Sequence, residues 1–409
     1  MTDMAGTVPV IAVDKVQAVA LAVCTYYFGV WLKGKVGVLS RYSIPSPVVG
    51  GMSFAIVVSF LEYFNIVKVQ IDSTLQTVLM LGFFTTIGLM ASLRVVKDGG
   101  RLLLGFLLAV TVLVFLQNGM GMAIAEAMGF DKHYGILAGS VSMMGGLGTA
   151  AAFGPYFEET YGITGGTAVA VTAATFGMVA ALLIGGPFGE WCIRRYKVKT
   201  PDEVQQPEPE LHLPDDMDTD ITEQHASAKP NFTNEIMRAV SVTALAMGLG
   251  TIVSNFLGHY ITLPAYIGAM IIATIIRNVG DFSGMYKVEG KGLNAVADIT
   301  LVLFVTMAIN NLKLHELVHL ALPLVVILAC QTILMLIYAW TVLFTAFGRS
   351  YDAVMLSVGG IGFSMGATAN GLANMQAISE KYGSSPRAWL IVSVVGAFLI
   401  DLINAVVIT

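Results

Sequence analysis

The chain has 409 residues, of which 56 % are hydrophobic and 12 % are charged, and its mean hydropathy is +0.76. A soluble domain carries roughly twice that charged fraction, so the composition excludes an ordinary soluble protein and favours a helical membrane protein with several spans. The formal net charge is −5. No basic run with interleaved aromatic residues occurs, so nucleic acid is not an expected partner.

The first half of the chain contains five apolar runs that are long enough to cross a hydrocarbon layer of ~30 Å. They begin near Val16, Ile44, Thr74 and Leu102, and the fifth covers 164–192. No basic region precedes the first run, so we expect no cleaved signal peptide. Cys24, Cys192 and Cys330 stand isolated in apolar segments and are expected to be buried thiols, without a disulfide or a metal.

A glycine-rich, loop-like stretch at 134–155 lies between the fourth and fifth apolar runs. Irregular backbone cannot face lipid, because each unpaired N–H or C=O there costs several kcal/mol. Such a stretch must line a cavity or be buried in protein. We therefore expect a re-entrant hairpin, which enters the membrane and leaves on the same side.

The composition changes abruptly at 193–234. Between 200 and 228 the sequence holds nine acidic residues and four prolines but neither Lys nor Arg. This pattern is typical of a solvated linker, so we divide the chain into an N-terminal unit, 1–192, the linker, and a C-terminal unit, 235–409.

The second half repeats the plan of the first. Its apolar runs begin near Glu235, Ile261, Leu293, His319 and Ser385, and a second glycine-rich stretch covers 352–378. Phe83-Phe-Thr85 matches Phe304-Val-Thr306 and Tyr161-Gly162 matches Tyr382-Gly383, both 221 positions apart (83 to 304 and 161 to 382). Because five spans per half is an odd number, the two halves must be inverted relative to each other.

The predicted fold is therefore an all-α integral membrane protein with about ten transmembrane helices in two inverted five-helix repeats. Each repeat is expected to carry one re-entrant glycine-rich hairpin, and this arrangement is typical of secondary transporters.

The distribution of basic residues predicts the orientation in the bilayer. With the N-terminus outside, 18 of the 22 Lys and Arg residues fall in cytoplasmic loops, and only Lys15, Lys68, Lys132 and Lys313 lie outside. This asymmetry is a strong positive-inside signal. It places both termini outside and the acidic linker in the cytoplasm, with the two hairpins entering from opposite sides and meeting near the midplane.

The glycine-rich stretches are candidate anion sites. Glycine lets backbone amides approach a ligand closely, and the start of a helix presents unpaired N–H groups and a positive dipole end. The alternative is that these glycines only permit tight helix packing. Two inverted copies favour a carboxylate site, with expected contacts at Gly145, Gly146, Gly148, Thr149, Thr368, Asn370 and Asn374, braced by Gln117 and Gln331.

No Lys or Arg lies deep in a predicted span, so a bound Na⁺ would have to supply the positive charge beside an anionic substrate. Asp401 is in the middle of the last apolar run, where a carboxylate is functional by default, and Asn404 shares its helix face. We interpret Asp401, Asn404 and Ser142 as Na⁺ ligands; alternatively, Asp401 pairs with a substrate amine.

Together these motifs resemble the bacterial sodium–glutamate symporter family over nearly the whole chain. The resemblance is carried by Tyr42-Ser-Ile-Pro-Ser-Pro47-Val-Val-Gly-Gly51, Phe83-Phe-Thr-Thr-Ile-Gly-Leu89, Gln117-Asn118, Gly145-Gly-Leu-Gly-Thr149, Gly366-Ala-Thr368, Ala373-Asn-Met-Gln-Ala377 and Gly396-Ala-Phe-Leu-Ile-Asp401-Leu-Ile-Asn404. It implies Na⁺-driven uptake of L-glutamate across the bacterial inner membrane. It also implies a homodimer in which a mobile transport domain carries the substrate past a fixed scaffold.

Two positions depart from the family pattern: Leu147 stands where some relatives have His, and Ala369 where Pro can follow the Thr.

Three rival functions remain. A Na⁺- or H⁺-coupled carrier of citrate or another di- or tricarboxylate would share this architecture. A passive channel fits occludable hairpins poorly. An intramembrane protease would need Asp281 and Asp352 in one dry site, whereas both lie in basic loops, so no enzyme activity is expected.

Overall fold

The computed structural model describes residues 9–37, 39, 44–94, 100–201, 232–257, 265–284, 286, 290–313 and 320–409. Most of the predicted acidic linker, 202–231, lies outside the described residues. The same holds for Tyr42 and Ser43, for 261–264 and for His319.

The described residues are almost entirely helical. The helices of the first half are α1 Lys15–Lys35, α2 Ser46–Tyr63, α3 Thr74–Met90, α4 Gly100–Ala127, α5 Lys132–Ile136, α6 Gly146–Tyr161 and α7 Gly166–Tyr196. Those of the second half are α8 Phe232–Leu257, α9 Ala265–Ser283, α10 Lys291–Asn310, α11 Ala321–Tyr338, α12 Tyr351–Met365, α13 Thr368–Tyr382, α14 Pro386–Val394 and α15 Ile400–Ile408. Three π-helical stretches extend or join them: Leu137–Val141 after α5, Ala339–Ala346 after α11, and Val395–Leu399 between α14 and α15.

Seven helices of the described part are long and apolar enough to cross a membrane: α1, α2, α4, α7, α8, α10 and α11 with its π-helical continuation. Helix α3 is also apolar but has 17 residues. The prediction of a multi-pass, all-helical membrane protein is confirmed at this level. Helix α7 continues beyond Cys192 to Tyr196, where Lys197 adopts a left-handed conformation with φ of 49°.

Two short strands that the sequence analysis did not predict precede α1 and α3. β1 Val10–Val13 pairs in parallel with β2 Lys68–Ile71. The side chain of Asp14 then accepts hydrogen bonds from the backbone of Val16 and Gln17 and starts α1. Since the strands run parallel, α1 and α3 begin at the same end of the molecule, and α2 returns between them.

The helices pack into two bundles, each built from corresponding parts of both halves. The first bundle contains α1–α3 and α8–α10, and the second contains α4–α7 and α11–α15. Glycines allow close packing within the first bundle: a Cβ added to Gly88 of α3 would lie 2.2 Å from the carbonyl oxygen of Met270 in α9. Such small-residue contacts are the usual means of helix association in a bilayer.

Residues matched between the halves lie against each other. The rings of Phe83 and Phe304 are 5.5 Å apart. Thr85 and Thr306 each donate to the carbonyl four residues earlier in their own helices, at 2.7 Å and 2.6 Å. The two rings are thus in contact, and the two threonines have the same bonding within their own helices.

Gly50 provides a test of the packing of α1 on α2. A Cβ at this position would lie 1.8 Å from the backbone oxygen of Thr25. Gly50→Ala should therefore separate the two helices and destabilise the protein by about 1–3 kcal/mol, measured as a lower melting temperature in detergent. Gly34→Ala is the matched control, since a Cβ there meets nothing within 4 Å. Equal melting temperatures for the two variants would contradict this packing.

Candidate functional site

The first glycine-rich stretch folds as a helical hairpin, residues 132–161, which we call hairpin 1. The carboxyl of Asp131 caps α5 by accepting a hydrogen bond from the backbone N–H of His133, and this bond holds the pKa of that carboxyl below its ordinary value. The chain kinks at Gly139, whose φ of −92° and ψ of −129° are not helical. It breaks before Gly146, which has a φ of +62° and starts α6.

The two ends of hairpin 1 adjoin. The hydroxyl of Tyr134 donates to the carbonyl oxygen of Thr164 at 2.6 Å. The rings of His133 and Tyr161 stack with centroids 4.0 Å apart. The segment therefore enters and leaves the second bundle at the same end.

Hairpin 2 comprises residues 351–382 and has the same plan. Its break lies between α12 and α13, where Gly366 (φ −149°, ψ −97°) is neither helical nor extended and Ala367 (φ −153°, ψ 163°) is extended. The hydroxyl of Tyr351 donates to the carbonyl oxygen of Gly383 at 2.5 Å, and Ser385 donates to Asp352 at 2.6 Å. The loop-like character expected over both glycine-rich stretches is thus wrong for most of their length, because irregular backbone is confined to a few residues at each break.

The two breaks meet inside the second bundle. A Cβ added to Gly146 would lie 2.7 Å from the carbonyl oxygen of Gly366. Helix α7 passes beside both breaks, since a Cβ on Gly177 would lie 2.0 Å from the oxygen of Met365 and 3.3 Å from the Sδ of Met143. The first turns of α6 and α13, with their N–H groups and positive dipole ends, therefore start in one small region.

The predicted substrate residues of hairpin 1 take different positions around its break. Gly145 lies against the side chain of Thr149, which is 5 % exposed. Gly148 faces the first bundle, where a Cβ would meet the ring of Phe83 at 2.8 Å. Gly145, Gly146 and Thr149 are thus at the break, while Gly148 is at the interface between the bundles.

The predicted substrate residues of hairpin 2 form specific hydrogen bonds. Thr368 donates to the carbonyl oxygen of Gly396 at 2.5 Å. The side-chain amides of Asn370 and Asn374 donate to the oxygens of Met178 and Ala181 at 2.8 Å and 3.0 Å. These amide groups anchor α13 on α7, and the sequence could not indicate this because it does not reveal which helix faces α13.

The two glutamines predicted as braces are buried and connected. Gln117 donates to the carbonyl oxygen of Ser364, just before the break of hairpin 2, at 2.9 Å. Gln331 donates to the backbone oxygen of Gln117 at 2.8 Å. These bonds link α4 and α11 to the end of α12.

The predicted Na⁺ ligands are only partly brought together. Asn404 donates to the carbonyl oxygen of Ser140 at 3.0 Å, next to the kink of hairpin 1. The hydroxyl of Ser142 lies 2.5 Å from the oxygen of Leu137 and 2.7 Å from that of Ala170, so its proton is engaged by backbone. Sequence reasoning missed Ser140 as a neighbour of Asn404, because the kink at Gly139 changes which side chains of α5 and its π-helical extension share a face.

The carboxylate of Asp401 has no hydrogen bond or ion pair with any residue that the structure describes. It is partly buried on α15, one turn before Asn404. An unpaired acidic group at membrane depth is consistent with a cation-binding or proton-binding role.

The two aspartates of the protease alternative have separate surroundings. Asp281 pairs with Arg277 at 3.0 Å and accepts a hydrogen bond from Ser92 at 2.5 Å in the first bundle. Asp352 accepts from Ser385 in hairpin 2 of the second bundle. The structure therefore gives no support to a shared dyad.

Comparison with known proteins identifies the family of this chain. The sequence profile of the sodium/glutamate symporter family matches residues 11–384. The chain belongs to this family. The sodium/glutamate symporter of Escherichia coli K12 is 37 % identical over 400 residues, covering 97 % of this chain and 96 % of that protein. The sodium/glutamate symporter of Haemophilus influenzae is 35 % identical over 395 residues, covering 95 % of each chain. Relatives in this family are named as transporters and not as enzymes.

The anchoring of hairpin 2 can be tested at Asn374. Asn374→Leu removes the donor to the oxygen of Ala181, and we expect a loss of about 0.6–2 kcal/mol in stability, measured by thermal unfolding in detergent. Gln376→Leu is the control on the same helix, because Gln376 is exposed and its side chain donates to Glu380 on α13 itself at 3.0 Å. An Asn374→Leu protein as stable as its parent, but with weaker glutamate binding, would instead support direct substrate contact.

Proposed function

We propose that the chain imports L-glutamate together with Na⁺ by alternating access. The observation that carries this proposal is the meeting of two helix breaks, one from each hairpin, beside α7. Membership of the sodium/glutamate symporter family supports the choice of substrate and ion.

The chemistry of the meeting point suits an anion. The sequence has no Lys or Arg from 133 to 193, or from 350 to 380, so neither hairpin offers a basic side chain around its break. Glutamate carboxylates would be bound by N–H groups at the starts of α6 and α13 and by the hydroxyl of Thr149. Bound Na⁺ would balance the remaining negative charge, and this requirement couples the ion to the substrate.

In the membrane, we propose ten spans in two inverted five-helix repeats, 1–192 and 235–409, joined by a cytoplasmic linker. Two tyrosines with similar bonding support the repeat, since Tyr134 in hairpin 1 and Tyr351 in hairpin 2 each donate to a backbone carbonyl just beyond their own hairpin. The adjoining hairpin ends support re-entrance, because a segment that spanned the bilayer would end on the opposite side. The positive-inside distribution places hairpin 1 at the outer side and hairpin 2 at the cytoplasmic side of the inner membrane.

The two bundles correspond to a scaffold and a transport domain, and the scaffold forms the homodimer contact. Hairpin 1 packs on the first bundle, where Phe153 and Tyr266 have ring centroids 5.4 Å apart. By contrast, α13 of hairpin 2 has an exposed face that includes Ala369, Ala373 and Gln376. Hairpin 1 is thus covered by the first bundle, whereas hairpin 2 has an exposed face. With hairpin 2 on the cytoplasmic side, this arrangement is the inward-facing state.

The inverted repeat predicts the contacts of the outward-facing state. Gly148 packs against Phe83 and Leu301 in the structure. Matched residues of the two repeats are 221 positions apart (83 to 304 in the sequence). The residue that matches Gly148 is therefore Ala369, and the residue that matches Leu301 is Met80. Ala369 should therefore contact the first bundle near Met80 once the second bundle has moved across the membrane.

Paired cysteines test this exchange of contacts. In a background with Cys24, Cys192 and Cys330 replaced, Ala369→Cys with Met80→Cys should cross-link only when the protein is driven outward-facing. Gly148→Cys with Leu301→Cys is the control pair and should cross-link in the inward-facing state. If the control pair reacts but the first pair does not under any ion gradient, the inverted exchange is wrong.

Uptake into proteoliposomes tests the function itself. An imposed Na⁺ gradient should drive uptake of labelled L-glutamate, and unlabelled L-glutamate should compete better than citrate or succinate. Gly146→Ala should reduce the rate roughly tenfold, since a left-handed φ costs Ala about 1–2 kcal/mol and its Cβ would approach Gly366. Gly186→Ala on α7 should transport normally, since a Cβ there meets nothing within 4 Å. Stronger competition by a dicarboxylate without an amine would favour the citrate-type alternative.

A further inference from the structure

Buried oxygen atoms without partners are concentrated in one part of the second bundle. Eight buried side-chain oxygens have no hydrogen-bond partner among the described residues. Five of the eight belong to residues around the two hairpins: Gln117 Oε1, Ser140 Oγ, Gln331 Oε1, Ser364 Oγ and Asn404 Oδ1. Gln117, Gln331, Ser140, Ser364 and Asn404 are each at most 1 % exposed.

These five residues form two hydrogen-bonded groups that lie next to each other, and we call the two groups together the oxygen network. Asn404 donates to the carbonyl of Ser140 at 3.0 Å, Gln331 to the carbonyl of Gln117 at 2.8 Å, and Gln117 to that of Ser364 at 2.9 Å. The two groups are in close contact at the kink of hairpin 1, because a Cβ on Gly139, next to Ser140, would lie 3.1 Å from the backbone oxygen of Gln117. Every one of these bonds uses a nitrogen donor and leaves the side-chain oxygens unused.

The position of the network relative to the hairpins is also informative. Ser140 lies near the end of the first arm of hairpin 1, and Ser364 is the next-to-last residue of α12 in hairpin 2. Both serines are thus at C-terminal helix ends, where the dipole is negative and favours cations. The starts of α6 and α13, which favour anions, lie across the breaks.

A buried oxygen that accepts no hydrogen bond destabilises the folded protein unless a water molecule, an ion or a ligand binds to it. Carboxylate, carbonyl and hydroxyl oxygens are the ligands that hard cations prefer. Broken transporter helices place anions at half-helix N-termini and coordinate Na⁺ with C-terminal ends and backbone carbonyls. The carboxyl group of Asp401, one turn from Asn404, has no hydrogen bond or ion pair among the described residues.

We propose that the oxygen network binds the coupling Na⁺, with Ser140, Asn404, Gln117, Gln331 and Ser364 supplying side-chain oxygens. This inference rests on the proposed function and names its ion site. It places Ser140 in the site where sequence reasoning placed Ser142. The cation and the carboxylates of the substrate then occupy opposite helix ends on the two sides of the same breaks.

The hydroxyl of Ser140 provides a sharp test with a matched control. Ser140→Ala removes an unpartnered hydroxyl, whereas Ser357→Ala removes a hydroxyl of hairpin 2 that is equally buried and donates to the oxygen of Ala353 at 2.6 Å. Binding of radiolabelled Na⁺ to the purified full-length protein in detergent is measured without glutamate. We expect Ser140→Ala to raise the half-saturating Na⁺ concentration by about tenfold or more, and Ser357→Ala to leave it within about twofold of the parent.

A second variant covers the case in which Ser140→Ala does not fold, as judged by melting in Na⁺-free buffer. Ser364→Ala, on the other hairpin, should raise the half-saturating Na⁺ concentration in the same way. If Ser140→Ala or Ser364→Ala folds and binds Na⁺ as the parent does, the oxygen network holds only structural water and the proposal is wrong.

Uptake by the parent protein separates this proposal from the proposed function. Na⁺-driven glutamate uptake together with unchanged Na⁺ binding in the serine variants would overturn the ion site alone. Na⁺ binding that depends on Ser140 without any glutamate uptake would overturn the transport function and keep the site. A parent protein that binds no Na⁺ would overturn both.

Discussion

The architecture depends on the close approach of two helix breaks in the interior of a membrane protein. Gly146 and Gly366 permit this approach, because a side chain on Gly146 would collide with the carbonyl of Gly366. Breaking a helix within a bilayer exposes backbone groups that lipid cannot satisfy. The chain limits this penalty by surrounding the breaks with α7 and with two glutamines. Gln117 of α4 donates to the carbonyl of Ser364, and Gln331 of α11 donates to the carbonyl of Gln117. The broken ends are then available for ligands of both charges.

Under the proposed function, the division into two bundles would give the site a means of reaching both sides of the membrane. Hairpin 1 meets the first bundle partly through small residues such as Gly148, which lies against the ring of Phe83, and partly through the ring of Phe153, which packs on Tyr266. A small residue against a ring presents few interlocking side chains, and this favours sliding over a fixed contact. Meanwhile the asparagines of α13 and the glutamines keep the second bundle together as a unit. Rigid packing inside a bundle and smooth packing between bundles suit a moving transport domain.

The sequence predicted a helical membrane protein and two distinct glycine-rich segments. Both predictions were possible because the length of an apolar run and the clustering of glycines can be recognised from neighbouring residues alone. The sequence also matched Phe83 with Phe304 and named Gln117 and Gln331 together as braces, and both pairs are in contact in the structure. Roles that depend on the facing helix could not be predicted in this way. Asn370 and Asn374 bind carbonyls of α7, and the kink at Gly139 turns Ser140 toward Asn404. The short pairing of β1 with β2 was missed, since its strands are only four residues long.

The most direct test of the account is an experimental structure of the full-length chain determined with saturating Na⁺ and L-glutamate. The account predicts density for the amino acid between the starts of α6 and α13, with a carboxylate within hydrogen-bonding distance of backbone N–H groups near Thr149 or Thr368. It predicts a separate, smaller feature among the oxygens of Ser140 and Asn404. Amino-acid density located wholly within the first bundle, or far from both breaks, would contradict the central claim.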